Sequence, residues 1–254
     1  MLHGQRIFVV IPSYNSGDLL EAVLASVPAF VDGCIVVDDG SCPETMPADD
    51  GRTIVIRHSR NRGVGAAIIS GYAEAARRGA DVAAVMAADN QMDPADLPAL
   101  LEPVLSGQAV YCKGDRLSHP ECRNRMPVVR YIGNCCLTFL TRVVTGLPTL
   151  MDSQCGYTAL RLDVLPGIPV RWLYPRYGFP NDLLAALAGA GCPVAQVVVA
   201  PVYRGERSGI RPIVAVLVYP WILVRGILVR MISRCGGLRR AREAVRLQRA
   251  RAGV

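Results

Sequence analysis

The chain has 254 residues, 51% of them hydrophobic and 6% aromatic, with a mean hydropathy of +0.28, a length that suits one sizeable aliphatic α/β core plus an appendage. The formal net charge of +7 suggests nucleic acid until it is located: residues 234–254 carry seven Arg against the single Glu243, so the body is nearly neutral. With no aromatic or fold motif beside that basic tail, nucleic-acid binding is set aside, and anionic lipid headgroups are the partner the tail fits.

In chain order, Ile7-Phe8-Val9-Val10-Ile11 ends at Pro12 and reads as a strand buried on both faces of a parallel sheet. A helix over Leu19 to Val27 follows, with Asp18 as its N-cap. Cys34 to Val37 is a second buried strand, stopping at Asp38-Asp39-Gly40-Ser41, and Thr53 to Ile56 is a third. A Gly-containing turn then leads to a helix through Ala66 to Arg77, and Val82 to Met86 is a fourth strand that ends near Asp89. This alternation predicts an α/β fold with an open, mostly parallel sheet. Further on, Val128 to Val144 and Asp182 to Ala190 read as helices and Val194 to Val199 as a strand.

From Ile213 to Ile232 the chain is almost wholly apolar, interrupted by Pro220, Arg225 and Arg230. Its charge-free part, Ile213 to Val224, is shorter than the ~20 residues a spanning helix needs. A helix lying in the membrane interface fits better, although the two arginines stand about 140° apart on a helical wheel and spoil a clean amphipathic face. Packing against a second copy of the chain, giving a homo-oligomer, stays open. The nine cysteines include no CxxC or Cys/His cluster, which favours reduced thiols, and residues 1–6 lack a secretory leader's pattern. The expected location is therefore the cytoplasmic face of a membrane.

Ligands of parallel sheets sit at the carboxyl ends of the strands, where Tyr14-Asn15, Asp38-Asp39 and Asp89 all fall. A nucleotide-sugar site needs a carboxylate for base and ribose, cations for the diphosphate and an electrophile near the leaving group. Asp38 and Asp39 suit the first task, Arg60 and Arg62 with the mobile backbone of Gly63 and Gly65 the second, and a divalent metal on Asp89 the third.

Four segments carry a family resemblance: Val10-Ile11-Pro12-Ser13-Tyr14-Asn15, Val36-Val37-Asp38-Asp39-Gly40-Ser41, Asn61-Arg62-Gly63-Val64-Gly65-Ala66-Ala67 and Asp89-Asn90-Gln91-Met92-Asp93-Pro94. Together, over roughly residues 6 to 210, the chain resembles the family-two glycosyltransferases, and within them the dolichol-phosphate mannose synthase-like, or polyprenyl-phosphate glycosyltransferase, group. The resemblance implies a GT-A fold, a Rossmann-like mostly parallel sheet flanked by helices. It places Pro12, Tyr14 and Asp39, with Asp38 beside them, at the nucleoside. Arg62 and Gly63 belong to the donor site, and Asp89 and Gln91 hold a divalent metal, Mg²⁺ or Mn²⁺. The first Asp of the family's DxD element is replaced by Ala87, which removes one carboxylate ligand.

In the acceptor half the resemblance assigns Arg116, Arg130 and Asn134 to the acceptor phosphate and gives Asp152 a catalytic role, while Arg204 to Ser208 matches a lid. Asp182 sits where many family members carry a catalytic carboxylate, and equally where an N-cap would stand. The expected organisation is a GT-A domain over 1–210, an apolar membrane-associated helical segment over 211–233 and a basic tail over 234–254. The expected reaction is inverting transfer of a hexose from a UDP- or GDP-sugar to a polyprenyl phosphate. A hydroxyl acceptor and a catalytically silent membrane-binding module are the alternatives, and a dinucleotide-dependent dehydrogenase is excluded because the first strand does not lead into G-x-G-x-x-G.

Overall fold

The computed structural model describes residues 2–41, 47, 49–203 and 212–235, with side chains throughout except at 212–219 and 235. The expected lid at Arg204 and Ser208, and the basic tail beyond residue 235, lie outside the described residues. Four parallel strands, β1 (Ile7–Ser13), β2 (Gly33–Asp38), β3 (Thr53–Arg57) and β4 (Val82–Val85), are joined by crossovers carrying α1 (Asp18–Ser26) and α2 (Val64–Arg77). The sheet continues through β5 (Tyr111–Asp115), β6 (Thr158–Arg161) and β7 (Val194–Val198) in the order β3-β2-β1-β4-β6-β5-β7. Among the described strands β6 alone is antiparallel to its neighbours.

The continuous apolar runs of β1 and β2 are explained by cover on both faces. Val10, Ile35 and Val85 point into a layer with Tyr72 of α2 and Leu184 of α6 (Phe179–Gly189), while Val9, Ile11 and Val36 meet Leu20 of α1 and Leu97 of α3 (Leu97–Leu105). α2 lies so close to the sheet that a Cβ at Gly71 would stand 2.3 Å from Val10 Cγ1.

The structure moves several expected boundaries. Asp18 is the first residue of α1, and the cap position belongs to Gly17 with φ of 52°. α6 begins at Phe179 after Gly178, so Asp182 lies within the first turn and does not cap the helix. The strands β5 and β6 and helix α3 were not anticipated: β6 is only four residues long, and α3 contains Pro103. β6 matters for what precedes it, because antiparallel pairing of Thr158 with Val85 and Lys113 brings residues 152–157 to the same sheet edge as the strand ends. That edge therefore gathers residues 12–16, 38–41, 58–63, 86–93, 115–118 and 152–157.

After the short α4 (Cys122–Arg125), helix α5 (Val128–Thr145) is amphipathic in the reverse sense. Its inward residues are Thr138, Thr141 and Thr145, and its outward stripe is Val129, Ile132, Phe139 and Val143. The inner face is hydroxyl-bearing because it meets polar partners: Thr138 Oγ1 lies 3.2 Å from Ser153 Oγ, and Thr141 Oγ1 lies 3.3 Å from Asn181 Oδ1.

The C-terminal apolar stretch is a continuous helix, α7 (Pro212–Cys235), that packs along α6 and α5 with Ile222, Val229 and Ser233 buried. Of its three arginines, Arg225 and Arg230 turn inward and Arg234, in the last turn, is exposed. Arg225 Nε donates to Asp182 Oδ2 at 2.8 Å, and Arg230 Nη1 donates to the Val144 carbonyl at 2.9 Å. Trp221, Val224, Ile227, Leu228 and Met231 are left on the outside, so the face that the helical wheel made irregular is free of charge between residues 221 and 231. No described helix is long and apolar enough to cross a membrane.

Candidate active site

The first pole of the site is the buried carboxylate of Asp39, one residue beyond the end of β2. Its backbone N–H donates to the Ser13 carbonyl at 2.8 Å, which ties it to the end of β1. Oδ1 receives the Arg62 amide at 2.9 Å and lies 2.7 Å from His58 Nδ1, while Oδ2 receives the Gly63 amide at 2.7 Å. Asp38 is buried beneath it. Its Oδ1 accepts the Ser41 amide at 2.9 Å and its Oδ2 lies 3.2 Å from Arg57 Nε, so Asp38 braces the turn, and Ser41 Oγ in turn accepts the Asn15 amide at 2.9 Å. Gly63 adopts φ of 99° and a Cβ there would stand 2.4 Å from the Pro175 carbonyl, so only glycine fits this close approach. Tyr14 projects into solvent and Pro12 is half-buried beside it; the Arg62 side chain is exposed.

The second pole follows β4. Asp89 Oδ1 accepts the Gln91 amide at 3.1 Å, and Asn90 sits at φ of 56°, a left-handed turn that Asn tolerates. No cluster of three or more acidic, His or Cys side chains capable of holding a metal exists among the described residues. One carboxylate with one amide side chain fits a Mg²⁺-like ion that takes its remaining ligands from a diphosphate and water, and does not fit an all-protein cage. Tyr157 Oη donates to the Asp93 carbonyl at 3.1 Å, which docks this loop on the segment leading into β6.

The third pole is Asp152, fully buried. It receives Arg116 Nε at 2.8 Å and Arg116 Nη2 at 3.2 Å, together with the amides of Gln154 and Cys155. Burial opposes its charge, but Arg116 and the nearby Lys113 outweigh that and hold the carboxyl below its ordinary range. Lys113 is itself buried with Nζ donating to the Cys155 carbonyl, and burial pulls its pKa down to about 8. The Arg130 guanidinium lies over the Tyr203 ring at 4.9 Å, and Tyr203, whose hydroxyl is buried with no partner among the described residues, feels both Arg116 and Arg130. Asn134 is one turn along α5 from Arg130, with Nδ2 3.7 Å from Met126 Sδ.

Asp182 is held away from solvent. Oδ2 accepts the Tyr174 amide at 2.7 Å and Arg225 Nε at 2.8 Å, Oδ1 is buried without a partner among the described residues, and burial raises the carboxyl pKa despite those donors. Arg225 also donates to the Trp172 carbonyl and faces the rings of Trp221 and Tyr174 at 5.3 and 5.9 Å. Gln154 Nε2 donates to Asn181 Oδ1 at 3.2 Å, so the third pole touches the first turn of α6. His58, Tyr203 and Arg225 belong to this arrangement and were not singled out by motif. Lone residues of these types give no periodic signal, and Arg225 read as an interruption of an apolar run.

A mostly parallel sheet with β6 reversed, carboxylates at the ends of β2 and β4, and a cationic cluster opposite define a nucleotide-sugar-dependent glycosyltransferase of the GT-A kind. Residues 8–165 match the model of glycosyl transferase family 2, and the chain belongs to that family. Its relatives include the UDP-N-acetylglucosamine--dolichyl-phosphate N-acetylglucosaminyltransferase of Methanococcus voltae, 27% identical over 78% of this chain and 86% of that one. The undecaprenyl-phosphate mannosyltransferase of Micrococcus luteus is 30% identical over 78% of this chain and 84% of its own length. Among solved structures, glucosyl-3-phosphoglycerate synthase from Mycobacterium tuberculosis, in complex with Mn²⁺, UDP and glucosyl-3-phosphoglycerate, shares the fold with a TM-score of 0.63 at 22% identity, covering 92% of this chain and 81% of that one.

Proposed function

We propose that the protein transfers one hexose from a UDP- or GDP-sugar to a polyprenyl phosphate, with inversion, at the cytoplasmic face of a membrane. The observation that carries this reading is the adjacency of the Arg116–Arg130–Tyr203 cluster to α5, whose outward stripe is apolar: a cationic pocket for a phosphate stands at the base of a helix suited to a lipid tail. The outer face of α7, free of charge between residues 221 and 231, lies on a helix packed against α5 and adds to that surface, and the relatives named for dolichyl and undecaprenyl phosphates support the same acceptor class.

The donor half follows from Asp39. An ionised carboxylate only accepts, so it suits a base presenting an N–H on its pairing edge, as uracil and guanine do. Pro12, Tyr14, Asp38, Arg62 and Gly63 complete the nucleoside and diphosphate site. Asp89 and Gln91 would hold a divalent ion, which when bound supplies charge neutralisation for the departing diphosphate; neighbours crystallised with Mn²⁺ support it. An acceptor phosphate oxygen, held by Arg116, Arg130 and Asn134, attacks the anomeric carbon from the face opposite the leaving group. The new C–O bond forms as the bond to the nucleoside diphosphate breaks, and the diphosphate carries away the electron pair. A phosphate oxygen is already anionic, so alignment and charge balance suffice without a strong base. Asp152 positions Arg116 through its paired hydrogen bonds. Asp182 is committed to Arg225 and Tyr174, which suits this base-free chemistry better than a role as proton acceptor. Arg204 and Ser208 would close over the bound donor.

A hydroxyl acceptor is the second reading, supported by the buried Asp182 Oδ1, which has no partner among the described residues. A donor screen tests both. Purified full-length protein in detergent, with undecaprenyl phosphate and Mg²⁺ or Mn²⁺, is offered UDP-glucose, UDP-galactose, UDP-N-acetylglucosamine and GDP-mannose, and the lipid fraction is read by mass spectrometry. A glycosylated lipid phosphate lost in Arg130→Ala supports the proposal. Nucleotide release without lipid product moves the acceptor to a hydroxyl, and no turnover with any donor sinks the enzyme assignment at this site.

A further inference from the structure

The Asp39 carboxylate is held by the 58–63 loop at three points, two backbone amides and one side chain. His58 follows β3 directly, its amide donating to the Asp38 carbonyl at 2.8 Å, and its ring is almost wholly buried. Nδ1 lies 2.7 Å from Asp39 Oδ1, and Nε2 lies 2.9 Å from Ser70 Oγ on α2. A carboxylate only accepts, so the ring carries its proton on Nδ1 toward Asp39, and in the neutral ring Nε2 accepts the Ser70 hydroxyl. Oδ1 is thereby saturated by His58 and the Arg62 amide, while Oδ2 has the Gly63 amide and lone-pair capacity to spare.

We propose that His58 is a positioning residue of the donor site: anchored on Ser70, it fixes the rotation of the Asp39 carboxylate so that one oxygen is consumed by the protein and the other stays presented to the nucleobase. The inference rests on Asp39 contacting the nucleoside, as proposed above. The two backbone amides hold one oxygen each, and the terminal torsion of an Asp is broad enough that a third contact, from the ring to Oδ1, narrows it further. The ring narrows that freedom, and through Ser70 it couples the bend of the 58–63 loop to the middle of α2. Outer partners that orient a ligand-binding group change affinity by about 10- to 100-fold when removed.

The test is titration calorimetry of the full-length protein with UDP, and with GDP, in the presence of Mg²⁺, alongside donor KM and kcat with undecaprenyl phosphate. His58→Leu is expected to weaken nucleotide binding about 10- to 100-fold and raise donor KM by a similar factor. kcat at saturating donor should stay within about threefold, because the group acts on binding and not on the reacting atoms. His58→Asn, whose amide N–H falls near the position of Nδ1, should recover most of the affinity. His58→Gln, whose amide lies nearer Nε2, should not. If His58→Leu is too unstable to assay, the contrast between the Asn and Gln variants carries the test, with Ser70→Ala expected to weaken binding about twofold to fivefold through the lost anchor. Equal affinities for the Asn and Gln variants, or wild-type affinity in His58→Leu, overturn the proposal. Asp39→Ala separates the two layers. If it binds nucleotide like wild type, the assignment of Asp39 to the nucleoside fails and takes the role of His58 with it; if it loses binding while the His58 variants do not, only the role of His58 fails.

Discussion

Replacing Ile132, Phe139 and Leu228 by Ser should release the protein from membranes without disturbing its fold. Phe139 is 62% exposed, Ile132 56% and Leu228 55%, so more than half of each side chain has no protein contact to lose. Fully burying such a side chain is worth about 1.5–3 kcal/mol, so the exposed portion of each has about 1–2 kcal/mol to gain on entering an apolar phase. The triple variant should therefore lose about 3–5 kcal/mol of transfer free energy, a fall of about 10²-fold to more than 10³-fold in partition coefficient. Attraction of the basic residues to anionic lipid is a separate contribution, and at about 1 M salt the screening length shrinks to about 3 Å and removes most of it. Flotation with phosphatidylglycerol vesicles at high salt thus reads the apolar face alone. Trp221, 54% exposed on that face, supplies a second readout: in a Trp172→Phe background its emission should shift to the blue on vesicle binding. Undiminished flotation of the triple variant, or a Trp221 spectrum indifferent to vesicles, would refute the reasoning.

Further expected outcomes concern the buried charges and the metal. Arg225→Met leaves Asp182 buried and unpaired and should cost about 3–5 kcal/mol, seen in a melting scan as a drop of about 6 °C or more; an unchanged midpoint contradicts the ion pair's role. Lys113 has its pKa pulled down from 10.5 to about 8 by burial, so between those values the unfolded chain holds one more proton than the folded one and stability rises with pH. Cys34 and Cys112, raised to about 11 and about 12 by burial, act in the opposite direction, so the informative quantity is the difference between wild type and Lys113→Met. That difference should move in favour of wild type by about 3 kcal/mol from pH 7.5 to 10.5 in denaturant titrations, and a flat difference rejects the buried ammonium. Ala87→Asp, which adds a second carboxylate beside Asp89, should lower the metal concentration for half-maximal turnover by about tenfold; no change would place the ion elsewhere.

The architecture was legible where physical chemistry writes it into runs of residues. Ile7 to Ile11 and Cys34 to Val37 are apolar without alternation because both faces of the sheet are covered, and their polar successors Tyr14, Asp38 and Asp39 fall at its carboxyl edge. β6 escaped notice because four residues, Thr158 to Arg161, are too few to show a period. The apolar face of α7 was harder to read for a different reason. Arg225 and Arg230 looked like breaks in an apolar face, yet each has an inward partner remote in sequence, Asp182 and the Val144 carbonyl, and a helical wheel carries no information about such partners. Asp182 likewise has the composition of a cap and the location of a buried anchor. The polar inner face of α5 makes sense only once Ser153 and Asn181 are opposite it.

The most direct test of the central claim is acceptor discrimination at a fixed donor. With the active nucleotide sugar, the full-length protein is given undecaprenyl phosphate in one reaction and undecaprenol in another, and products are resolved by mass spectrometry. Sugar on the lipid phosphate alone, with transfer abolished by Arg116→Ala or Arg130→Ala and retained in Asp182→Asn, is the expected result. Transfer to the free alcohol, or loss of all transfer in Asp182→Asn with the fold intact, would contradict the account.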